Sequence, residues 1–207
     1  MKIIWITVLC LASTLRLPIQ QHQPWWDSWF YVAAQQPSSP HRLADSLQRK
    51  LDHIQANGRV AHPDQTPTVM TDEEINDYLA AGRVKLPLGV KNVIFQWQPG
   101  MITALATIDF DAIRAGQRSS NPLLSVFTGI HDVRVESDAS GSGGLGKVHV
   151  RTVSIDGIEV PRIALEFFLS RYITPKYPNV GMDSVFRLPY RIDLAIVGYH
   201  KLTVTQK

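Results

Sequence analysis

Two short stretches carry the residue types that suit a metal ion or acid–base chemistry. His131-Asp132 and His149 lie in one predicted hairpin, and imidazole and carboxylate groups are common ligands of Zn²⁺. A register that keeps the valines of this hairpin on one face puts His131 on the core side and His149 on the other side, opposite Arg134. Two histidines that point apart lack the convergent third ligand that a metal needs. The sequence therefore predicts no metal site.

The acidic residues and the glycine-rich stretch have simpler explanations than catalysis. Asp109 and Asp111 bracket Phe110 at a predicted strand end, where aspartates usually form turns. Residues 72–74 occupy the first turn of a predicted helix, where the helix dipole favours negative charge. Residues 140–144 lack the lysine and the helix that follow a phosphate-binding loop, and no serine has the context of a nucleophile elbow. We therefore predict a protein that is not an enzyme and that uses no cofactor.

Cysteine and charge content exclude further classes. Cys10 is the single cysteine and lies in an N-terminal apolar run, so the rest of the chain offers neither a disulfide nor a thiolate metal site. The net charge is +3, and the arginines are scattered along the chain. Nucleic-acid binding needs a concentrated basic patch, so we predict no nucleic-acid partner.

The N-terminus has the pattern of an export signal. The apolar run Ile3 to Ala12 follows the initial Met-Lys and is too short to span a bilayer. Small residues suit cleavage after Ala12 or, by preference, after Ala34. An uncleaved, membrane-anchored N-terminus is the alternative. We expect residues 1–34 to be a leader and residues 35–207 to form one exported domain, periplasmic or secreted.

Two helices at the start of this domain have clear boundary signals. Ser39-Pro40 predicts the start of a helix that ends at Asn57-Gly58, with the serine as the N-cap and the proline at the first helical position. The capping box of Thr71 and Glu74 predicts the start of a second helix, which Gly82 ends.

Three antiparallel hairpins follow from the alternation of apolar residues. In the first, the Pro99-Gly100 turn opposes Gln98 with Met101, and the further partners are Trp97 with Ile102, Phe95 with Ala104, Val93 with Ala106 and Lys91 with Ile108. Large rings that face small alanines leave a hollow on the apolar side of this hairpin.

The other two hairpins are separated by a predicted helix. The second has a flexible tip at Ser137 to Gly146, and the third has a three-residue turn at Gly198 to His200. The predicted partners are Val133 with Val150 and Val135 with Val148 in the second, and Ile196 with Leu202 and Leu194 with Val204 in the third. Between them, Pro161 to Ile173 is apolar nearly all round, which predicts a buried helix.

The order of these elements predicts an α+β domain with an antiparallel sheet. There is neither a βαβ alternation nor an internal repeat. The recurrent alanines and the long hairpin strands favour a curved sheet that partly wraps helices and leaves space for an apolar ligand.

Four phrases of the sequence carry a resemblance to a known family. They are TDEEINDYL, TALATIDFDAI, VRTVSIDGIEVPRIALEFFL and RLPYRIDLAIVGYHKLTV, and the resemblance that they carry covers roughly Thr68 to Gln206. In this order they resemble the bacterial cell-envelope members of the tubular lipid-binding (TULIP) superfamily. The resemblance implies a strongly curved antiparallel sheet, a half-barrel, wrapped around helices. The groove lining that it implies is Phe95, Trp97, Ala104, Ala106, Phe167 and Phe168.

Two functions are compatible with these patterns. The first is an exported, non-catalytic protein that binds lipid or another long apolar molecule in a groove between sheet and helices. The alternative is a structural or adaptor protein of the cell envelope whose core is filled by its own side chains. The partners to expect are a lipid or other apolar small molecule and, beyond it, a membrane surface or an envelope protein.

Overall fold

The chain adopts an α+β fold built on an antiparallel sheet, which confirms the predicted class. The computed structural model describes residues 41–115, 128–170 and 181–207, without the side chain of Phe168. The predicted leader 1–34, its cleavage positions and the helix start at Ser39-Pro40 lie outside the described residues.

Helices lead the described part of the chain and strands dominate the rest. In chain order the elements are α1 (Arg42–Asn57), β1 (Thr68–Thr71), α2 (Asp72–Ala80), β2 (Val90–Gln98), β3 (Met101–Asp109), α3 (Phe110–Ala115), β4 (Ile130–Ser142), β5 (Leu145–Ile155), β6 (Ile158–Glu159), α4 (Arg162–Phe168), β7 (Asp183–Arg187), β8 (Ile192–Gly198) and β9 (Lys201–Gln206). The end of α1 at Asn57 and the left-handed Gly82 (φ 67°) after α2 agree with the prediction, whereas β1 was not predicted.

The long hairpin of β4 and β5 is the spine of the nine-stranded sheet that the described residues form. Along one edge of β4, residues Ile130 to Asp138 pair with β3, and Gly141 pairs with β8. The order continues from β3 to β2 and from β8 through β9 to β1, while β6 and β7 pair with β5. The β2–β3 and β8–β9 hairpins therefore meet on one side of the spine.

The sheet is not strongly curled or closed, so the predicted half-barrel is wrong. Its end strands β1 and β2 do not pair with each other, because α2 connects them and covers the free edge of β2. The Asn76 side chain donates to the carbonyl of Phe95 and accepts from its N–H, both at 2.8 Å, and Asp72 accepts from the N–H of Trp97 at 3.1 Å. Side chains of the helix thus occupy the edge that another strand would need for closure.

The register of the β2–β3 hairpin is confirmed except at its open end. The observed partners are Gln98 with Met101, Trp97 with Ile102, Phe95 with Ala104 and Val93 with Ala106. A bulge between Val90 and Asn92 puts Val90, and not Lys91, opposite Ile108. The apolar face of the hairpin is therefore the predicted one.

The register predicted for the β4–β5 hairpin is wrong. The strands continue through the stretch expected to be a flexible tip and turn at Gly143-Gly144, with φ of 59° and 74°. The observed partners are Val133 with Ile155, Val135 with Val153, Ser137 with Val150 and Ala139 with Val148. Near the tip, the observed and the predicted register differ by an even number of residues, so the same side chains face the core in both. The left-handed glycines of the turn at Gly143-Gly144 select the observed register.

The β8–β9 hairpin also differs from its prediction. Its turn has two residues, Tyr199-His200, so the three-residue turn is wrong. Val197 with Leu202 and Ala195 with Val204 are buried pairs, whereas Ile196, expected in the core, is 51% exposed. Residues 194–197 are all apolar, so alternation does not show which face is buried.

Helices α1 and α2 pack against each other through Glu74. Its N–H donates to Thr71 Oγ1 and its carboxylate accepts from the N–H of Thr71, which confirms the capping box. The same carboxylate accepts hydrogen bonds from Lys50 Nζ at 2.6 Å and Ser46 Oγ at 2.7 Å on α1. Burial alone would raise the pKa of Glu74, but these hydrogen bonds lower it below its ordinary value. The ionised carboxylate therefore ties the two helices together.

The core lies between these two helices and one face of the sheet. It includes Leu47, Ile54, Met70, Ile75, Tyr78, Val93, Phe95, Trp97, Ala104, Val197, Leu202 and Val204. Phe95 and Trp97 are only 5% and 3% exposed, so the chain itself covers most of the hollow expected at the first hairpin.

Helix α4 is exposed, contrary to the buried helix predicted from Pro161 to Ile173. Ile163 and Phe167 are 82% and 55% exposed. An apolar surface all round a helix indicates burial only where other elements pack on every side of it, and the described residues do not cover α4 in this way. Residues 171–173 lie outside the described residues. None of the described helices is long and apolar enough to cross a membrane.

Candidate ligand-binding pocket

A pocket of about 80 Å³ lies where the β2–β3 and β8–β9 hairpins meet over the spine. Its walls on the hairpin side are Phe95, Trp97, Ile102, Ala195, Val197 and Leu202. Ser140 and Lys147 border the pocket and are opposite each other on β4 and β5. Both side chains are exposed, because successive residues of a strand point to opposite faces of the sheet. The interior of the pocket is therefore apolar.

Two glycines of the spine determine the opposite side of the pocket. Gly141 on β4 pairs with Gly146 on β5. A Cβ atom on Gly146 would lie 2.7 Å from the ring of Phe186 and 3.1 Å from Leu188, and one on Gly141 would lie 2.8 Å from Ala195. These distances are too short for ordinary contacts, so the close approach of the three side chains needs glycine at both positions.

A few backbone hydrogen bonds join the two hairpins beside the pocket. The N–H of Gly100 donates to the carbonyl of Val197 at 2.9 Å, and the N–H of His200 donates to the carbonyl of Trp97 at 3.1 Å. The Oδ2 atom of Asp72 accepts from the N–H of Trp97 and lies 2.7 Å from His200 Nδ1. One buried carboxylate at the start of α2 thus holds both β2 and the β8–β9 turn.

The Asp72–His200 pair has part of the geometry of acid–base catalysis. A buried aspartate that orients an exposed imidazole is the supporting half of a catalytic triad. The side chain of Asp72 is 4% exposed and that of His200 is 55% exposed. Among the described residues, no serine, threonine or cysteine side chain hydrogen-bonds to His200. The contacts of Asp72 with His200 and with the N–H of Trp97 join the β8–β9 turn to β2.

The two histidines of the spine bind different aspartates. His131 Nδ1 lies 2.5 Å from Asp156, and His149 Nδ1 lies 2.5 Å from Asp183. His149 is opposite Asp138, not Arg134 as predicted. The hydrogen bond that His131 donates to the Asp156 carboxylate raises the pKa of His131 above its ordinary value. In the described ranges, no group of three His, Cys, Asp or Glu residues could hold a metal ion.

The structure brings together only some of the predicted groove residues. Phe95 and Trp97 line the pocket. Ala104 is buried opposite Phe95 without lining the pocket, and Ala106 is half-buried further along β3. Phe167 is exposed on α4, and the side chain of Phe168 lies outside the described part of the chain.

The apolar face continues from the pocket along the spine. Half-buried residues on this face are Ala106, Ile108, Val133, Val135, Val153 and Ile155. Ser137 lies on the same face between Val135 and Ala139, is fully buried, and its hydroxyl has no hydrogen-bond partner in the part of the chain that the structure describes. We call the six half-buried residues the apolar strip.

Sequence reasoning missed the side of the pocket that the spine and β7 form. The sequence pattern predicts a flexible tip that includes Gly146, and it does not identify Phe186 or Leu188 as lining residues. A usable signal existed, because glycines inside a strand often mark a close approach of another part of the chain. That signal shows that something approaches, but not that it is the ring of Phe186.

Comparison of the chain with protein-family models, with curated proteins and with solved structures finds no match in any of the three. Functional inference therefore depends on the geometry of the pocket and of the apolar strip.

Proposed function

We propose that the protein is exported and binds a lipid or another long apolar molecule without catalysis. The observation that carries this proposal is an apolar pocket that continues into the apolar strip on the same sheet face. The resemblance to the tubular lipid-binding superfamily stays a prediction, and its half-barrel is not part of the proposal.

The size of the pocket limits how such a ligand would bind. Pockets that enclose a whole small molecule measure about 300–1,000 Å³, whereas this one measures about 80 Å³. One end of a long molecule would enter the pocket, and the rest would lie along the apolar strip. Each methylene group removed from water contributes about 0.8 kcal/mol, so affinity should rise with the length of chain that is covered.

An envelope adaptor with a self-filled core is the second candidate. The observation that favours it is the almost complete burial of Phe95 and Trp97 within the chain's own core. In that function the pocket is a packing defect, and an envelope protein is the partner.

Native mass spectrometry of gently purified protein, followed by organic extraction, separates the two candidates. Co-purified acyl chains are expected for the binding protein, and a clean apo mass for the adaptor. Ala139→Leu places extra carbon atoms in the pocket and should reduce the bound fraction. Ser142→Leu is the matched control, because Ser142 lies on the same strand, is exposed and does not line the pocket, so this variant should leave that fraction unchanged. An apo mass for the unmodified protein, or equal loading of both variants, would contradict binding in this pocket.

Export is tested separately by the intact mass of the mature chain. A chain that starts after Ala34, or after Ala12, in the envelope fraction is the expected result. A full-length chain in the cytosolic fraction would contradict the leader.

A further inference from the structure

We propose that the pocket accepts the methyl end of a straight acyl chain and rejects a ring, and that Phe186 is the residue that sets this limit. The inference rests on the proposed function. It adds the shape of the ligand end that is recognised and the side chain that decides it.

The volume of the pocket separates a chain end from a ring. An engineered cavity of about 150 Å³ lined by Leu, Ile and Phe binds benzene. The pocket here has about half that volume, about 80 Å³. A six-membered ring therefore does not fit without displacing a wall, whereas the last few carbons of an unbranched chain do.

The lining determines which end of an amphiphile enters. The two polar residues at its border, Ser140 and Lys147, are exposed, and the remaining lining residues are apolar or glycine. A carboxylate or hydroxyl placed inside would lose its hydrogen bonds to water without replacement, which is costly. The methyl end therefore enters the pocket, and the polar end stays outside.

Phe186 forms the part of the pocket wall that a substitution can remove. Its ring lies directly over Gly146, where a Cβ atom would be 2.7 Å from two ring carbons. Because neither Gly146 nor its partner Gly141 has a side chain, Phe186 and Leu188 close this side of the pocket. Leu188 is 8% exposed and belongs to the core, whereas Phe186 is half-buried at the core's margin. Removing the Phe186 ring frees a space of the size of a six-membered ring at the margin of the core.

The test compares a straight fatty acid with one that ends in a ring. Isothermal titration of the full chain with dodecanoic acid and with an ω-cyclohexyl fatty acid of equal overall length gives the two affinities. We expect the unmodified protein to bind the straight acid at least about tenfold more tightly, because the rejected ring must clash with a wall. Phe186→Ala should reduce that ratio to near one by binding the ring-tipped acid, and Phe186→Leu should give an intermediate ratio.

Val185→Ala is the matched control. Val185 is the preceding residue on β7, 55% exposed and opposite Lys147, so its side chain lies on the other face from Phe186. This variant should keep the preference of the unmodified protein. Melting curves and tryptophan emission establish which variants are folded, and Phe186→Leu carries the test if Phe186→Ala unfolds.

Each outcome has one meaning. Equal affinity of the unmodified protein for both acids would overturn the shape limit. An unchanged preference in folded Phe186→Ala or Phe186→Leu would overturn the role of Phe186. Absence of binding of either acid to the unmodified protein would instead overturn the proposed function on which the inference rests.

Discussion

The strongest test of how the pocket is held in place is removal of the Asp72 carboxylate. Asp72 is 3% exposed and accepts hydrogen bonds from the N–H of Trp97, from His200 Nδ1 and from the N–H of Glu73. Asp72→Ala leaves the buried N–H of Trp97 without a partner. It also removes negative charge from the first turn of α2.

The expected loss follows from these contacts. A buried N–H without a partner costs about 1–3 kcal/mol. Loss of a negative charge at a helix N-terminus costs about 0.3–1 kcal/mol. The contact with half-exposed His200 contributes below about 1 kcal/mol because solvent screens it. The free energy of unfolding should therefore fall by about 1–5 kcal/mol in total.

Urea denaturation followed by tryptophan fluorescence measures this loss. Asp72→Asn keeps an oxygen that can accept from the N–H of Trp97, so it should lose less than Asp72→Ala. Glu73→Ala is the matched control, since Glu73 is an exposed carboxylate in the same helical turn and should cost at most about 1 kcal/mol. If Asp72→Ala costs no more than Glu73→Ala, the carboxylate does not hold the hairpins as described.

Three further changes test other parts of the structure. Ala104→Phe places a ring opposite Phe95 in a filled core and should lower stability by about 1–3 kcal/mol; a melting temperature that holds or rises would show that Ala104 faces open space. Ser137→Ala removes a buried hydroxyl that has no hydrogen-bond partner among the described residues, so the melting temperature should stay equal or rise, and a clear fall would reveal a further hydrogen bond. Because the pKa of Glu74 is lowered, its contribution should be present above the carboxylate's unfolded pKa and lost as the pH falls through its folded pKa. The urea midpoints of the unmodified protein and Glu74→Gln should then differ at pH 7 and converge at strongly acidic pH, and a constant difference would contradict this assignment.

Features whose causes lie within one short segment were predictable. The register of β2–β3 follows from a two-residue turn and from arms whose polar and apolar residues alternate. The start of α2 follows from a capping box, in which two residues three positions apart satisfy each other's backbone. Neither feature needs information from another part of the chain.

The errors in the registers predicted for the β4–β5 and β8–β9 hairpins have a different origin. In β4–β5 the two registers bury the same faces near the tip, so alternation could not distinguish them. In β8, an unbroken apolar run leaves the buried face undetermined until Ala195 packs beside Gly141 and Val197 accepts from Gly100. These choices depend on residues that are distant in sequence.

The sequence by itself determined the α+β class, the first hairpin and the apolar face that carries Phe95 and Trp97. Only the tertiary structure decided that the sheet stays open, because α2 side chains take the hydrogen bonds of the β2 edge. It alone also decided where the pocket lies and how small it is. The space over Gly146 depends on a ring about 40 residues away in sequence, and local patterns of hydrophobicity carry no information about such contacts.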